Sequence, residues 1–222
     1  SSGIILPDDY VSALAAAVHS VGGIMVLDCI APGAIGVDMK TSGVDVLISA
    51  PQKGWSSPPC CALVMLSALA LEKMVGTTST SFACDLGKWL QIMQAYERGG
   101  HAYHATMPTD ALKAFRDTML ESRDYGFDRL KEAQWALGSK VRALLAAKGI
   151  ASVAAQGFEA PGVVVSYTDN PEVQSGRAFA AQGTQIAAGV PLPGGDFPVD
   201  GFDRLVSDLA SAHPYLSPFH AR

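Results

Sequence analysis

Two ionisable residues, Asp28 and Lys53, each follow a short apolar run and together could carry chemistry. Residues 24–27 are apolar and lead directly into Asp28, and the largely apolar run 44–48 leads toward Lys53. Short apolar runs bounded by Gly and Pro are typical of core strands in an α/β sheet. Because ligands bind beyond the carboxyl ends of such strands, an acid and an amine would be delivered to one edge of the sheet. That pair suits a cofactor with one basic nitrogen and one aldehyde.

Neither residue is specific by itself. Taken alone, Asp28 is interpreted as a strand-end or turn aspartate, and a single lysine is interpreted as a surface lysine. The whole stretch is more specific, because Val26-Leu27-Asp28 is followed 25 residues later by Ser49-Ala50-Pro51-Gln52-Lys53-Gly54. This pattern resembles the class V aminotransferases of the pyridoxal-phosphate fold-type I superfamily, above all their serine–pyruvate and alanine–glyoxylate aminotransferase branch. The resemblance runs from Ser1 to about Pro191.

The resemblance implies roles for four residues around the cofactor pyridoxal 5'-phosphate. Lys53 would form the Schiff base with the cofactor aldehyde and, once released, would move the substrate proton. Asp28 would pair with the pyridine nitrogen and keep it protonated, so that the ring can withdraw carbanion electrons. Gln52 would contact the cofactor phosphate, and Ile30 would pack an apolar side chain on the ring face.

A second stretch, Ala-Tyr-His-Ala-Thr-Met-Pro at 102–108, also matches the family. The resemblance implies that Tyr103 and Thr106 reach across a homodimer interface and bind the phosphate in the other subunit, so that the active sites are shared. Hydroxyl donors suit a phosphate that has few cationic partners. Without Lys53, a loop tyrosine and a threonine near a helix start would be the simpler interpretation. The neighbouring histidines lack a carboxylate or cysteine partner at metal-ligand spacing, so we expect no metal site.

The composition is that of a globular protein. The 222 residues are 49% hydrophobic and 17% charged, which permits a substantial core in one large or two small domains. The net charge of -5 gives no reason to expect nucleic-acid binding, and no apolar run approaches the roughly 18 residues of a membrane helix. The four cysteines show neither metal-ligand nor disulfide-framework spacing, and the adjacent Cys60 and Cys61 are awkward for a bridge. Reduced thiols and a cytoplasmic location are therefore expected.

Helices and strands alternate along the first half of the chain. A helix is predicted from Pro7 to Gly22, and strands are predicted to end at Asp28, Ser49 and Leu66. A long helical region is predicted at 109–147, with Thr109 as its N-cap and an interruption near Tyr125-Gly126. Beyond it, strand-like stretches at 162–167 and 185–188 and helices at 171–182 and 201–212 indicate a small α+β domain.

This order, together with the resemblance, predicts an α/β protein with the fold of the type I pyridoxal-phosphate transferases. Residues 1–108 would form the C-terminal half of the large, mostly parallel-sheet cofactor-binding domain. Residues 109–222 would form a linker helix and the small C-terminal domain.

Both ends of the chain depart from the family pattern. The chain begins with Ser1-Ser2-Gly3 inside what resembles a family motif, so we expect that an upstream stretch with the phosphate loop and a ring-stacking aromatic is absent here. Weak cofactor binding would follow. The family's carboxylate-binding arginine should come after residue 192, but the stretch 193–200 contains none. Arg177 and Arg204 lie in helical patterns and are poor substitutes, so either that segment is missing or substrate binding is altered.

Three functions remain open. The first is an aminotransferase that moves an amino group from alanine or serine to glyoxylate or pyruvate. The second is another class V enzyme, such as a cysteine desulfurase, which would use Cys84 as its mobile thiol, or a kynureninase. The third is a truncated relative without activity. The Tyr-His-Ala-Thr stretch favours the first.

Overall fold

The computed structural model describes residues 3–32 and 34–187. The described residues form three strands: β1 (Val26–Asp28), β2 (Val46–Ser49) and β3 (Leu63–Leu66). Their helices are α1 (Asp8–Ser20), α2 (Met39–Ser42), α3 (Ala68–Met74), α4 (Leu86–Glu97), α5 (Thr109–Tyr125), α6 (Phe127–Ala147), α7 (Pro171–Gln174) and α8 (Arg177–Ala180). The predicted helix at 201–212, the stretch 188–200, Arg204 and Ser1-Ser2 lie outside the described residues.

β2 is the middle strand of the sheet formed by the three strands. β1 pairs with it in parallel, so that Val26 lies opposite Val46 and Asp28 opposite Ile48. β3 pairs with it antiparallel, with Ser49 opposite Leu63. All three strands lie where the sequence predicted them, and the structure adds the direction of β3.

The chain divides into two compact units, which are described separately below. The first unit is Leu6–Leu130, and the second joins the described parts of Ser1–Ile5 and Lys131–Arg222. The division falls inside α6. The assignment of residues 1–108 and 109–222 to two domains remains a prediction.

The core of the first unit is formed by α1 and the sheet. Val11 of α1, Val44 and Leu47 are buried together, and partly buried apolar side chains surround them: Leu6, Met25, Leu27, Cys29, Val37 and Met39. Val11 and Ala15 are the buried residues of α1, and their four-residue spacing places them on one helix face. The predicted helix is therefore confirmed, with Asp8 and Asp9 in its first turn, where they complement the helix dipole.

A buried carboxylate, Asp45, connects four elements of this unit. It is only 4% exposed. Its Oδ2 is 2.7 Å from His19 Nε2 of α1 and accepts the Met25 N–H at 2.8 Å, and its Oδ1 accepts the Ser67 hydroxyl at 2.9 Å. Ser67 Oγ in turn accepts the Ala70 N–H and caps α3. Because a buried carboxylate is costly without partners, this bonding pattern fixes α1, the start of β1 and the end of β3 against β2.

A proline begins the helical region 109–147, one glycine breaks it, and a second glycine lets it pack closely against a neighbouring segment. The predicted interruption is confirmed, since α5 ends at Tyr125 and Gly126 has a positive φ of 104°. Thr109 is the first residue of α5 rather than its N-cap. Pro108 is the cap and makes no side-chain bond, and its carbonyl accepts the Leu112 N–H at 2.9 Å. Gly138 of α6 lies so close to Pro161 that a Cβ would clash with the Pro161 carbonyl oxygen.

In the second unit, α6 packs against the segment at 160–163 and the chain start. Arg142 Nη2 donates to the carbonyls of Gly3, Ala160 and Val163 at 3.3, 2.6 and 3.2 Å. Ile4 forms an isolated antiparallel bridge with Glu159. A small core is formed by Ile150 and Phe179, with Leu144, Leu145 and Val173 packed against it.

Several predictions for this second unit are wrong in detail. The stretch 162–167 forms an isolated bridge between Ser152 and Ser166 instead of a strand. The helix predicted at 171–182 is divided into α7 and α8 because Gly176 takes a left-handed φ of 76° between them. Residues 185–187 form no strand.

Among the described residues, none of the helices is both long and apolar enough to span a membrane.

Candidate active site

Asp28 is the last residue of β1 and its side chain is exposed. Its Oδ1 accepts the N–H of Ile30 at 2.8 Å, which turns the chain directly after the strand. The intervening Cys29 donates its N–H to the Ile48 carbonyl at 2.7 Å. The carboxylate is therefore fixed at the carboxyl end of β1 with one oxygen bonded to the backbone.

Lys53 lies in a turn at 51–55 that follows β2. Its carbonyl accepts the Ser56 N–H at 3.0 Å, and the Pro51 carbonyl accepts the Ser57 N–H at 3.1 Å. Pro51 is fully buried, whereas Lys53 is exposed. Its amine makes no hydrogen bond or ion pair with any other described residue. The turn therefore begins at a buried proline and carries an exposed amine that has no partner among the described residues.

Ser56, directly after this turn, has an unusual backbone conformation. It is the one non-glycine residue with a positive φ, 55°, in the described part of the chain. A left-handed serine costs free energy, on the order of 1–3 kcal/mol, and persists where the surroundings require it. The next residue, Ser57, is 7% exposed and its hydroxyl has no hydrogen-bond partner among the described residues.

The parallel pairing of β1 and β2 brings Asp28 and Lys53 to one edge of the sheet. Asp28 lies opposite Ile48, one residue before β2 ends at Ser49, and Lys53 follows in the turn beyond that end. The carboxyl ends of adjacent parallel strands are where α/β proteins bind ligands. The structure thus places an acid and an amine at the same edge, as the sequence predicted.

Two further predicted residues accompany them. Gln52 precedes Lys53 in the turn and is exposed. Ile30 is half-buried, and its N–H is the group bonded to Asp28. Their predicted contacts with a cofactor remain predictions.

Tyr103 and Thr106 form a separate pair in the loop before α5. The Tyr103 hydroxyl lies 3.0 Å from Thr106 Oγ1, and the Tyr103 side chain is highly exposed, at 76%. His104 holds this loop, because its Nε2 is hydrogen-bonded to the Phe82 carbonyl and its ring contacts the rings of Phe82 and Trp89. No hydrogen bond within the described ranges joins this hydroxyl pair to Asp28 or Lys53.

Trp55 is the last residue of the Lys53 turn and packs in the first unit. Its ring meets Phe115 and Phe127 edge to face, with centroids 5.9 and 6.2 Å apart. These contacts favour a packing role for Trp55 over a role in lining a pocket, because edge-to-face aromatic pairs are stabilising.

The thiol next to Asp28 is not activated. Burial, together with the negative charge of Asp28, raises the pKa of Cys29 to about 11. A thiol with such a pKa is protonated at neutral pH and is a poor nucleophile. Cys84, by contrast, is exposed, and its N–H is bonded to Ser81 Oγ at 3.1 Å.

Asp45, Ser56 and Ser57 were not singled out from the sequence. The signal for Asp45 was present, because an acid inside an otherwise apolar strand run must find partners when it is buried. The conformations of Ser56 and Ser57 had no comparable signal.

The sequence of the chain is similar to those of known proteins. No family profile matches the chain. The chain is similar to the alanine–glyoxylate aminotransferase of Felis catus, with 29% identity over 131 residues, which are 58% of this chain and 31% of that protein. It is also similar to the small subunit of a soluble hydrogenase from Synechococcus sp. (strain PCC 6716), with 25% identity over 155 residues, 70% of this chain and 39% of that protein. The chain thus spans well under half the length of these curated relatives.

Solved structures give a consistent fold. The ureidoglycine–glyoxylate aminotransferase of Bacillus subtilis superposes with a TM-score of 0.71 at 19% identity, covering 99% of this chain and 58% of that one. The aspartate aminotransferase of Thermus thermophilus gives 0.68 at 25% identity, over 86% and 52%. The alanine–glyoxylate aminotransferase of Nostoc sp. gives 0.66 at 18% identity, over 85% and 52%. The predicted resemblance to class V aminotransferases is confirmed, and the chain has the α/β fold of the type I pyridoxal-phosphate enzymes.

Proposed function

We propose that this protein is a pyridoxal-phosphate-dependent aminotransferase that moves an amino group from a small amino acid, alanine or serine, to glyoxylate or pyruvate. The observation that carries the proposal is the delivery of Asp28 and Lys53 to one edge by adjacent parallel strands. The aminotransferases of similar sequence and fold support it, since glyoxylate appears in the names of three of them. A cytoplasmic location is part of the proposal, because the four cysteines are all unpaired.

The residues present fit pyridoxal phosphate. Asp28 has one carboxylate oxygen bonded to the backbone, while its second oxygen has no hydrogen bond to a described residue. The amine of Lys53 is likewise free among them. A carboxylate and an amine are what the pyridine nitrogen and the aldehyde of this cofactor require. When bound, the cofactor supplies an electron-withdrawing ring that stabilises negative charge on the substrate α-carbon.

Lys53 would hold the cofactor and transfer the proton. Its Nζ would hold the cofactor aldehyde and would accept the proton from the substrate α-carbon. The buried Pro51 and the two serine N–H bonds restrict the backbone of the turn. A restricted backbone lowers the entropic cost of orienting the Lys53 amine toward the substrate α-carbon.

Asp28 would keep the ring nitrogen protonated. The bond from the Ile30 N–H orients the carboxylate and leaves its other oxygen for the nitrogen. The Ile30 side chain, two residues on, would lie on the ring face. Gln52 would bind the phosphate of its own subunit, whereas Tyr103 and Thr106 would bind that of the partner subunit in a homodimer.

Asp28→Asn is expected to slow turnover about 100-fold while the cofactor still binds, because an amide can hydrogen-bond to the nitrogen but cannot keep its proton. Single-turnover measurement of α-proton release checks this. Asp38→Asn is the control, because Asp38 is an exposed aspartate of the same unit that caps α2. An Asp28→Asn variant with unchanged turnover would make Asp28 a strand-end residue only.

A shared dimeric site predicts rescue between two inactive variants. Lys53→Ala is mixed with a Tyr103→Phe, Thr106→Ala double variant and allowed to exchange subunits. Half of the dimers are then mixed, each with one unmutated site, so recovery to about one quarter of the wild-type rate is expected. If tagged mixed dimers are isolated and show no recovery, the hydroxyl pair serves its own subunit or none.

The second candidate is a cysteine desulfurase, which the exposed Cys84 thiol favours. The protein is first mixed with pyridoxal phosphate. An absorbance band at the border of the ultraviolet and visible ranges then tests whether the protein binds the cofactor at all. Amino transfer to glyoxylate, against sulfide release from cysteine, then separates the two activities. Without a cofactor band, the protein would be an inactive relative.

A further inference from the structure

Two adjacent thiols lie in the loop that presents Lys53. The Sγ atoms of Cys60 and Cys61 are 3.8 Å apart, and both residues are half-buried. The loop runs from the end of β2 to the start of β3, and the pairing of Ser49 with Leu63 closes its base. Within it, the Ser57–Pro51 hydrogen bond ties the segment before the cysteines to the Lys53 turn.

We propose that Cys60 and Cys61 form a reversible redox modification site, in which a low-molecular-weight disulfide converts the vicinal dithiol to an intramolecular disulfide. The contact between the two sulfurs is the geometric basis. Closing it to the bond length of about 2.05 Å requires the sulfurs to approach by less than 2 Å, which side-chain rotation and adjustment of the peptide between them can supply.

The reaction is an ordinary thiol–disulfide exchange in two steps. The Cys60 thiolate attacks one reagent sulfur, the reagent S–S bond breaks, and one reagent thiol leaves. Cys61, having given its proton to solvent, then attacks the Cys60 sulfur, and the second reagent thiol leaves with a proton. The two cysteines lose two electrons and two hydrogens in all, and the reagent disulfide is reduced to two thiols.

The second step is expected to be the slow one. Burial first, and then the neighbouring Cys60, raises the pKa of Cys61 to about 11, so that Cys61 is mostly protonated at neutral pH. The ring would also be easy to reduce again. Adjacent Cα atoms are about 3.8 Å apart, closer than the roughly 4.4–6.8 Å of ordinary disulfides, and a strained disulfide is more reducible.

The sequence offers a clean measurement, because trypsin releases both thiols in one peptide. That peptide, residues 54–73, holds Cys60 and Cys61 and no other cysteine, whereas Cys29 and Cys84 fall in other peptides. The full-length protein is incubated with oxidised glutathione, and its free thiols are then blocked with iodoacetamide. After digestion with trypsin, mass spectrometry measures the mass of this peptide. This readout does not depend on the proposed enzymatic function.

In the wild-type protein, we expect peptide 54–73 to change from two blocked cysteines to none, with no glutathione attached. Dithiothreitol before blocking should restore both labels. In Cys60→Ser and Cys61→Ser, the remaining cysteine lacks its neighbour and should carry one glutathione. Cys84→Ser is the matched control and should leave ring formation unchanged.

Two results would overturn the proposal. One is a wild-type peptide 54–73 that keeps both blocked thiols while the exposed Cys84 takes up glutathione, which proves that the reagent was active. The other is a peptide that carries glutathione on its cysteines and never closes the ring. Both are read in the wild-type protein, so the test does not depend on whether a variant folds.

Discussion

Replacing Lys53 by alanine should reduce amino transfer by about 10²–10⁴-fold or more and remove the covalent link to the cofactor. The amine is the only group on the Lys53 side chain that can both bind an aldehyde and carry a proton, and the alanine has neither capacity. Because Lys53 is exposed and its amine has no described partner, the variant should fold with almost unchanged stability. Borohydride treatment followed by peptide mapping measures the link, and thermal unfolding measures the stability.

The controls for Lys53 are other exposed lysines of the same unit. Lys40 in α2 and Lys88 in α4 are both exposed, and neither lies at the strand edge. Alanine at either position should leave the rate and the borohydride product unchanged. Cofactor trapped on Lys40 or Lys88 in the wild-type protein would refute the assignment of Lys53, and with it the proposed mechanism.

Replacing Asp45 by alanine should lower the free energy of unfolding by about 3–5 kcal/mol. The variant leaves the Met25 N–H, the Ser67 hydroxyl and the His19 ring without the carboxylate that they share. A loss of that size is a large part of the roughly 5–15 kcal/mol that keeps a typical domain folded. Urea unfolding, monitored by tryptophan fluorescence, measures the change.

The contribution of Asp45 to stability should depend on pH. Burial alone would raise the pKa of Asp45, but the hydrogen bonds from His19, Met25 and Ser67 outweigh it, and the pKa lies below its ordinary value of 3.8. A carboxyl with a lowered pKa in the folded state stabilises the protein fully above the unfolded value. That contribution is lost as the pH falls through the folded pKa, so Asp45→Asn should flatten the acid limb of the stability curve.

Asp38→Ala is the matched control for Asp45. Asp38 is an exposed acid of the same unit whose side chain accepts the N–H groups of Lys40 and Thr41 at the start of α2. Loss of a helix cap costs about 0.5–2 kcal/mol. If Asp45→Ala costs no more than Asp38→Ala, the buried network does not determine the stability of the sheet.

Local features of the fold followed from the sequence because their causes are local. Apolar runs ending at Asp28, Ser49 and Leu66 predicted the three strands, and helical spacing after Pro7 predicted α1. The break between α5 and α6 was predicted because Gly126 can take the positive φ that a turn between two helices requires. Asp28 and Lys53 were singled out because the stretch around them resembles a known family, since neither residue is specific by its position alone, and their roles remain predictions.

Only the tertiary structure decided how these pieces pair. The apolar pattern of β3 is the same in either direction, so its antiparallel pairing with β2 could not be predicted. The bridge between Ile4 and Glu159 joins residues far apart in the chain, and no local pattern marks such a contact. Asp45 interrupts an apolar run in the sequence, yet it is buried and bonded to His19, Met25 and Ser67, because a buried charged group requires hydrogen-bond partners.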